Sequence, residues 1–203
     1  MEVELPSLRQ ILTRLLKDLE GSGANLKDSL STTTETNVTL TIESQPDPVQ
    51  KSLLALHSIY PNLLLSSLDL LDNGLVTRYV SAPDGTDQPF SSPSIYYVRS
   101  SQTRPSRFAA TSARSVYEVR PLAWHCTCPS FAFSAFSLRT SFDPFERGED
   151  DCTGSERWGG EMRGGQAAIC KHLLAVLVGE RLQVIPEKQV DMYTLANYAF
   201  GDA

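Results

Sequence analysis

Four residues in this sequence combine rare side chains with ligand spacing: Cys126-Thr127-Cys128 and, far downstream, Cys170-Lys171-His172. Three of the four cysteines and one of the three histidines fall into this Cys-x-Cys … Cys-x-His arrangement. Three thiolates and an imidazole make a complete donor set for one tetrahedral metal, and such donors point to zinc. A site closed by four protein ligands leaves no position for water and does no chemistry of its own. The His-x-Glu and Pro-Cys-x-x-Cys pattern of a zinc deaminase is absent. No Ser-His-Asp set, phosphate-cradling glycine loop or paired catalytic carboxylate stands out either, so the chain reads as a non-enzyme. A redox switch, with Cys126 and Cys128 joining on oxidation and releasing zinc, stays open as another use of the thiolates.

These ligands make demands on the backbone that carries them. Residues two apart in an extended segment point to one face, so Cys126 and Cys128 can reach one ion from a strand end that Pro129 closes. Residues two apart on a helix lie nearly opposite. Cys170 is therefore expected before a helix or at its cap, with His172 in the first turn and the apolar run Leu173 to Val178 as the helix itself. The helix N-terminus and Lys171 would offset the negative charge of three thiolates on a divalent ion. Two other donors lie close in sequence. His125 faces away if the strand is regular, and Cys152 sits in the acidic, Gly-rich stretch Arg147 to Gly165, which has little means to hold a ligand still.

Upstream, Leu5, Leu8, Ile11, Leu12, Leu15, Leu16 and Leu19 form one helical stripe, ended by Gly21 and Gly23. That helix either packs on its own domain or docks a partner, because a Ser/Thr/Asn-rich linker follows it to Asp47. Within the linker, Val38 to Ile42 alternates like an edge strand. Residues 1–47 are thus set apart from a core spanning 48–203. Pro48 to Asp72 reads as helix in two pieces, broken at Pro61 and stopped at Gly74, with His57 as a boundary histidine. Strands are expected at Leu75 to Ala82, Ile95 to Arg99, Ser115 to Val119 and Leu122 to Cys126. Phe131, Phe133 and Phe136 either pack the segment after the first ligands or meet a partner, and Pro186 to Phe200 reads as a short helix. The fold class is α+β: a small antiparallel sheet with a zinc-stapled C-terminal helix, plus N-terminal helices.

Composition narrows the function classes. A hydrophobic share of 41% and a charged share of 21% suit an ordinary globular core. A net charge of −6 argues against a chain that coats nucleic acid by charge alone. A local exception lies between Asp87 and Glu118, where Arg99, Arg104, Arg107 and Arg114 alternate with Tyr96, Tyr97, Phe108 and Tyr117. It suits either a weak single-stranded DNA groove or a solvated loop. No apolar run of about 18 residues marks a membrane span. No basic start leads into an apolar run either, so an intracellular, thiol-reducing compartment is expected.

The two ligand blocks resemble the SWIM-type zinc finger, in which Cys126-x-Cys128 and Cys170-x-His172-x-x-Ala175 match the motif. Their flanks, Cys128-Pro129-Ser130-Phe131-Ala132-Phe133-Ser134 and Cys170-Lys171-His172-Leu173-Leu174-Ala175-Val176, are similar to the SWIM-domain subunits of Shu complexes. The Leu68-Asp69-Leu70-Leu71-Asp72 helix and the Tyr-rich strands fit that family as well, and the likeness runs over about residues 50 to 200. It implies a SWIM domain at about 115–182 holding one structural zinc ion on Cys126, Cys128, Cys170 and His172. It further implies a nuclear, non-enzymatic adaptor that takes no small-molecule substrate. Such an adaptor pairs with a RecA-like recombinase paralogue and promotes recombinase filament assembly in homologous recombination, meeting DNA through the complex. The 41 residues between Cys128 and Cys170 exceed the usual spacing by an acidic, Gly-rich insertion at 139–165. Doubling a loop costs only about 0.6 kcal/mol, against zinc binding on the order of 10 kcal/mol, so the insertion does not threaten the site.

Overall fold

The computed structural model describes residues 8–20, 47–81, 95–100, 115–137, 168–191 and 193–194. The expected linker strand at Val38 to Ile42, Arg104, Arg107, Phe108, Arg114, Cys152 and the 139–165 insertion lie outside these residues.

Among the described residues, three helices precede the sheet. In α1 (Leu8–Glu20) the stripe residues Leu12, Leu16 and Leu19 are fully buried in the main core. Of the two roles open to this helix, packing on its own domain is the one seen. It lies against α2 (Asp47–Ile59), and Pro61 then opens α3 (Pro61–Asp72) at a first-turn position where its missing N–H costs nothing. Gly74, at φ 59°, ends α3: its N–H donates to Leu71 O and that of Leu75 to Leu70 O, a reversal that satisfies the last carbonyls.

Among the described residues the sheet has five strands, β1 (Val76–Ser81), β2 (Ile95–Arg99), β3 (Val116–Arg120), β4 (His125–Cys126) and β5 (Glu187–Val190), in the order β4-β3-β2-β1-β5. Register follows the two-residue period. Val76 faces Val98, Tyr96 faces Val119, and Val119 faces Cys126, so these side chains share the helix-covered face. Tyr79, Ile95, Tyr97 and Val190 form a smaller cluster on the opposite face, with Tyr79 and Tyr97 edge to face at 5.1 Å.

Two further helices among the described residues follow β4. The short α4 (Pro129–Ser137) comes first, and α5 (Lys171–Arg181) becomes the centre of the molecule. Every residue of α5 from His172 to Gly179 is buried, because α1, α3, β3 and β4 surround it. At 0% exposure, Leu173, Leu174, Val176, Leu177 and Val178 each contribute roughly 1.5–3 kcal/mol of apolar burial. Gly179 permits the closest approach: a Cβ there would meet Leu71 Cδ2 at 2.7 Å and Ile185 Cγ1 at 2.8 Å. Arg181 pairs with Glu20 at 2.9 Å, but Glu20 is 55% exposed, so the pair contributes at most about 1 kcal/mol. Tyr96 donates to Glu180 at 2.7 Å, and burial followed by that carboxylate raises the phenol well above its ordinary range.

Several expectations need correction. The sheet is mixed, not antiparallel, because β5 runs parallel to β1. After β4 the chain crosses the helical face through α5 and enters the open edge of β1; because β4 is antiparallel to β1, a β5 that runs opposite to β4 lies parallel to β1. The same strand takes Glu187–Val190 out of the helix expected over Pro186 to Phe200; Tyr193 and Thr194 are helical, and 195–200 lie outside the described residues. Pro186 O accepts from Arg78 N–H at 2.9 Å, and Arg78 pairs with Glu187 at 2.8 Å, drawing the polar Glu187-Lys188-Gln189 segment onto the open edge. The fourth strand is shorter than Leu122 to Cys126, since Pro121 to Trp124 is a turn closed by Trp124 N–H on Pro121 O at 2.9 Å. Pro129 opens a helix as well as ending the extended segment, so Phe131, which is buried, and Phe133, 72% exposed, sit on α4. Among the described residues, no helix is long and apolar enough to cross a membrane.

Candidate metal centre

Each ligand candidate is placed by a different piece of local structure. Cys126 ends β4 and points to the helix-covered face. Thr127 carries the pairing one residue further: its N–H donates to Glu118 O at 3.0 Å, and its Oγ1 accepts from Glu118 N–H at 3.0 Å. Thr127 itself is exposed, so Cys126 and Cys128 on either side of it are turned inward together. Cys128 then leads into α4, where its Sγ accepts from Phe131 N–H at 3.3 Å.

Cys170 repeats that contact on the other side of the site. Its extended backbone (φ −130°, ψ 167°) makes it the N-cap of α5, and its Sγ accepts from Leu173 N–H at 3.4 Å. His172 lies in the first turn, as the i, i+2 spacing requires. Two helix N-termini thus direct N–H groups at two sulfurs, an arrangement that favours negative charge on both.

The structure brings all four sequence-derived residues together. Ligand atoms of Cys126, Cys128, Cys170 and His172 lie within 4.8 Å of one another, and all four residues are buried. A tetrahedron with metal–sulfur bonds of about 2.3 Å has edges of about 3.8 Å, so a small contraction closes the set on one ion. The imidazole supplies an independent test of fit. His172 is 4% exposed, yet neither Nδ1 nor Nε2 has a well-aimed hydrogen-bond partner, an expensive condition that a coordinated ion would relieve. His125 is exposed and turned against Phe131 at 5.7 Å, outside the cluster.

Without metal the thiols divide their protons unequally. Hydrogen bonds from Cys126 and Cys170 hold the Cys128 thiol far below its ordinary value, with His172 and Phe131 N–H adding to the effect. Cys126 is raised by its hydrogen bonds to Cys128 and Cys170 and by burial. At Cys170 the hydrogen bond with Cys126 lowers the thiol, but the bond with Cys128 and burial outweigh it and push it up to about 12. A metal ion entering the site must therefore displace protons from Cys126 and Cys170.

Supports for the ligands were not evident from spacing. Tyr117, on β3, lays its ring against His172 with centroids 4.6 Å apart and planes 32° apart. Ser67 is fully buried, and its hydroxyl lies 2.9 Å from Lys171 O and 2.7 Å from Leu63 O, one proton shared between a ligand-bearing turn and its own helix. The available signal was a serine within the buried stripe of Leu64, Leu68 and Leu71. Trp124 donates from Nε1 to Ala168 O at 2.7 Å. By contrast, Tyr96 and Tyr97 are buried in the sheet and Tyr117 is taken by His172, so these rings are not a stacking surface; Arg99 is exposed beside them.

Fold and site together define an α+β protein with a buried Cys/His cluster able to hold a metal ion. Compared with family models, curated proteins and solved structures, the chain matches none.

Proposed function

We propose that Cys126, Cys128, Cys170 and His172 hold one structural zinc ion, and that this ion clamps a strand end to a helix start in a non-enzymatic SWIM-type adaptor. The observation that carries the reading is the closed, buried quartet that joins β4 to α5. Three sulfurs and one imidazole suit zinc better than harder cations, and four protein donors leave no coordination position for a substrate. Zinc bound there supplies cohesion, not catalysis.

The likeness of the two ligand blocks to SWIM-domain subunits of Shu complexes extends the proposal. The adaptor then works in the nucleus with a RecA-like recombinase paralogue and promotes recombinase filament assembly during homologous recombination. Burial of Tyr96 and Tyr97 counts against the direct single-stranded DNA groove, because bases need exposed rings to stack on. Exposures of 2% at Cys126 and 1% at Cys128 and Cys170 count against a fast thiol switch.

Metal analysis of the full chain is expected to give about one zinc per chain. Cys126→Ser and His172→Ala are expected to abolish capture of a RecA-like recombinase paralogue from cell extract. Undiminished capture by both variants would sink the claim that zinc organises the interface, no capture by the wild-type chain would sink the adaptor reading, and a zinc-free wild-type chain would sink the clamp.

A further inference from the structure

One polar contact ties the two halves of the cluster together without using any ligand. Trp124 stands two residues before Cys126, and Ala168 stands two residues before Cys170. The buried bond from Trp124 Nε1 to Ala168 O, at 2.7 Å, therefore joins the halves at matching distances from their sulfurs. Trp124 reaches that carbonyl from an unusual backbone. Its φ of 48° is left-handed, uncommon for a bulky side chain, and such conformations persist where surrounding structure fixes them. Here the tight turn from Pro121 fixes it, delivering the indole to Ala168 and the next two residues to β4.

We propose that Trp124 is a positioning residue of the metal centre, holding Cys126-x-Cys128 against Cys170-x-His172 before any ion arrives. The inference rests on the metal-binding reading of the quartet. Its physical content is pre-organisation. An ion that meets an assembled quartet loses none of its binding energy to ordering two separate segments, whereas one that must first bring them together binds more weakly. Both partners of the bond are buried, so removing the N–H also leaves a carbonyl without its donor beside the ligand-bearing turn.

The test is a cobalt titration of the full-length chain, because thiolate-to-cobalt absorption reports both affinity and tetrahedral ligation. Trp124→Phe keeps an aromatic ring in the core and removes the donor. It is expected to bind Co2+ about tenfold or more weakly than wild type, with unchanged band positions, since the ligands are the same. Wild-type affinity in a folded Trp124→Phe chain, even with a lowered unfolding midpoint, would show a packing role only and overturn the inference. Should Trp124→Phe fail to fold, benzothienylalanine at position 124 preserves the bicyclic shape without the N–H, and the same two outcomes decide. A wild-type chain that binds no Co2+ overturns the metal centre itself, a result distinct from equal affinities in the two chains.

Discussion

Cys170 has two structural duties, and paired substitutions separate them. Its sulfur is one of the four clustered donors, and it also caps α5 by accepting from Leu173 N–H at 3.4 Å. Cys170→Ala removes both functions; Cys170→Ser retains a cap acceptor and loses the thiolate. In chelator-treated protein no ion is at stake and the two variants differ chiefly in the cap, and an N-cap side chain is worth about 1 kcal/mol against alanine. With a urea dependence of about 2 kcal/mol per molar, the serine variant should unfold about 0.5 M later than the alanine variant. Adding zinc at about a thousand times its dissociation constant should stabilise wild type by about 4 kcal/mol, or about 2 M in midpoint. Both variants should lose most of that gain, since three donors leave the ion open to water. Urea unfolding followed by circular dichroism, with and without zinc, reads all these quantities. Identical metal-free midpoints for the alanine and serine variants would refute the capping argument. A wild-type midpoint that zinc does not move would refute the clamp.

Three other outcomes follow from the same geometry. Since Cys126 and Cys170 are held protonated and the ion needs their thiolates, acid opposes binding: affinity should fall by about 100-fold per pH unit as pH is lowered, one decade per displaced proton, and a chelator competition series between about pH 6 and 8 that shows no fall would contradict the shared-proton description. Gly179→Ala would place Cβ 2.7 Å from Leu71 and 2.8 Å from Ile185, so an overpacking penalty of about 1–3 kcal/mol should exceed the helix-propensity gain of about 1 kcal/mol, leaving a net loss in thermal or urea unfolding. Gln183, at φ 55°, occupies the left-handed position after α5, where its N–H donates to Glu180 O and Val184 N–H donates to Gly179 O; Gln183→Gly should relieve that backbone and stabilise by up to about 1 kcal/mol, and a lowered midpoint would show the strain to be absent.

Residues whose chemistry is intrinsic were readable from the chain; those defined by distant neighbours were not. The ligand candidates announce themselves because cysteine and histidine are scarce and the Cys-x-His spacing cannot sit inside a helix, which leaves a cap as the place for Cys170. Pro61 and Gly74 likewise act through their own backbone restrictions. The strand at Glu187 to Val190 is different. Val190 is its one apolar residue, too little to mark a strand, and it forms because β1 offers an open edge and Arg78 an opposite charge, both more than 100 residues away in sequence. Pro129 was ambiguous for a similar reason: the same ring restriction that stops a strand also suits the first turn of a helix, and the sulfur of Cys128 meeting Phe131 N–H favours the second. The tyrosines at 96, 97 and 117 show the limit of composition. Next to arginines they read as stacking groups, but on a pleated sheet their positions assign them to one packed face or the other.

The central position of α5 has a consequence for how the protein is made. The apolar faces of α1, α3 and the sheet are closed by a helix that lies beyond residue 170, and the last strand follows it. On the ribosome, synthesis must pass Arg181 before the main core can exist. Until then the earlier elements carry uncovered apolar surface and an unpaired β1 edge, features that attract chaperones and promote self-association. Collapse around α5 is therefore a late, non-local event, and the quartet cannot assemble before it. Metal uptake by a nascent chain would follow the synthesis of α5 and would not be an early folding step.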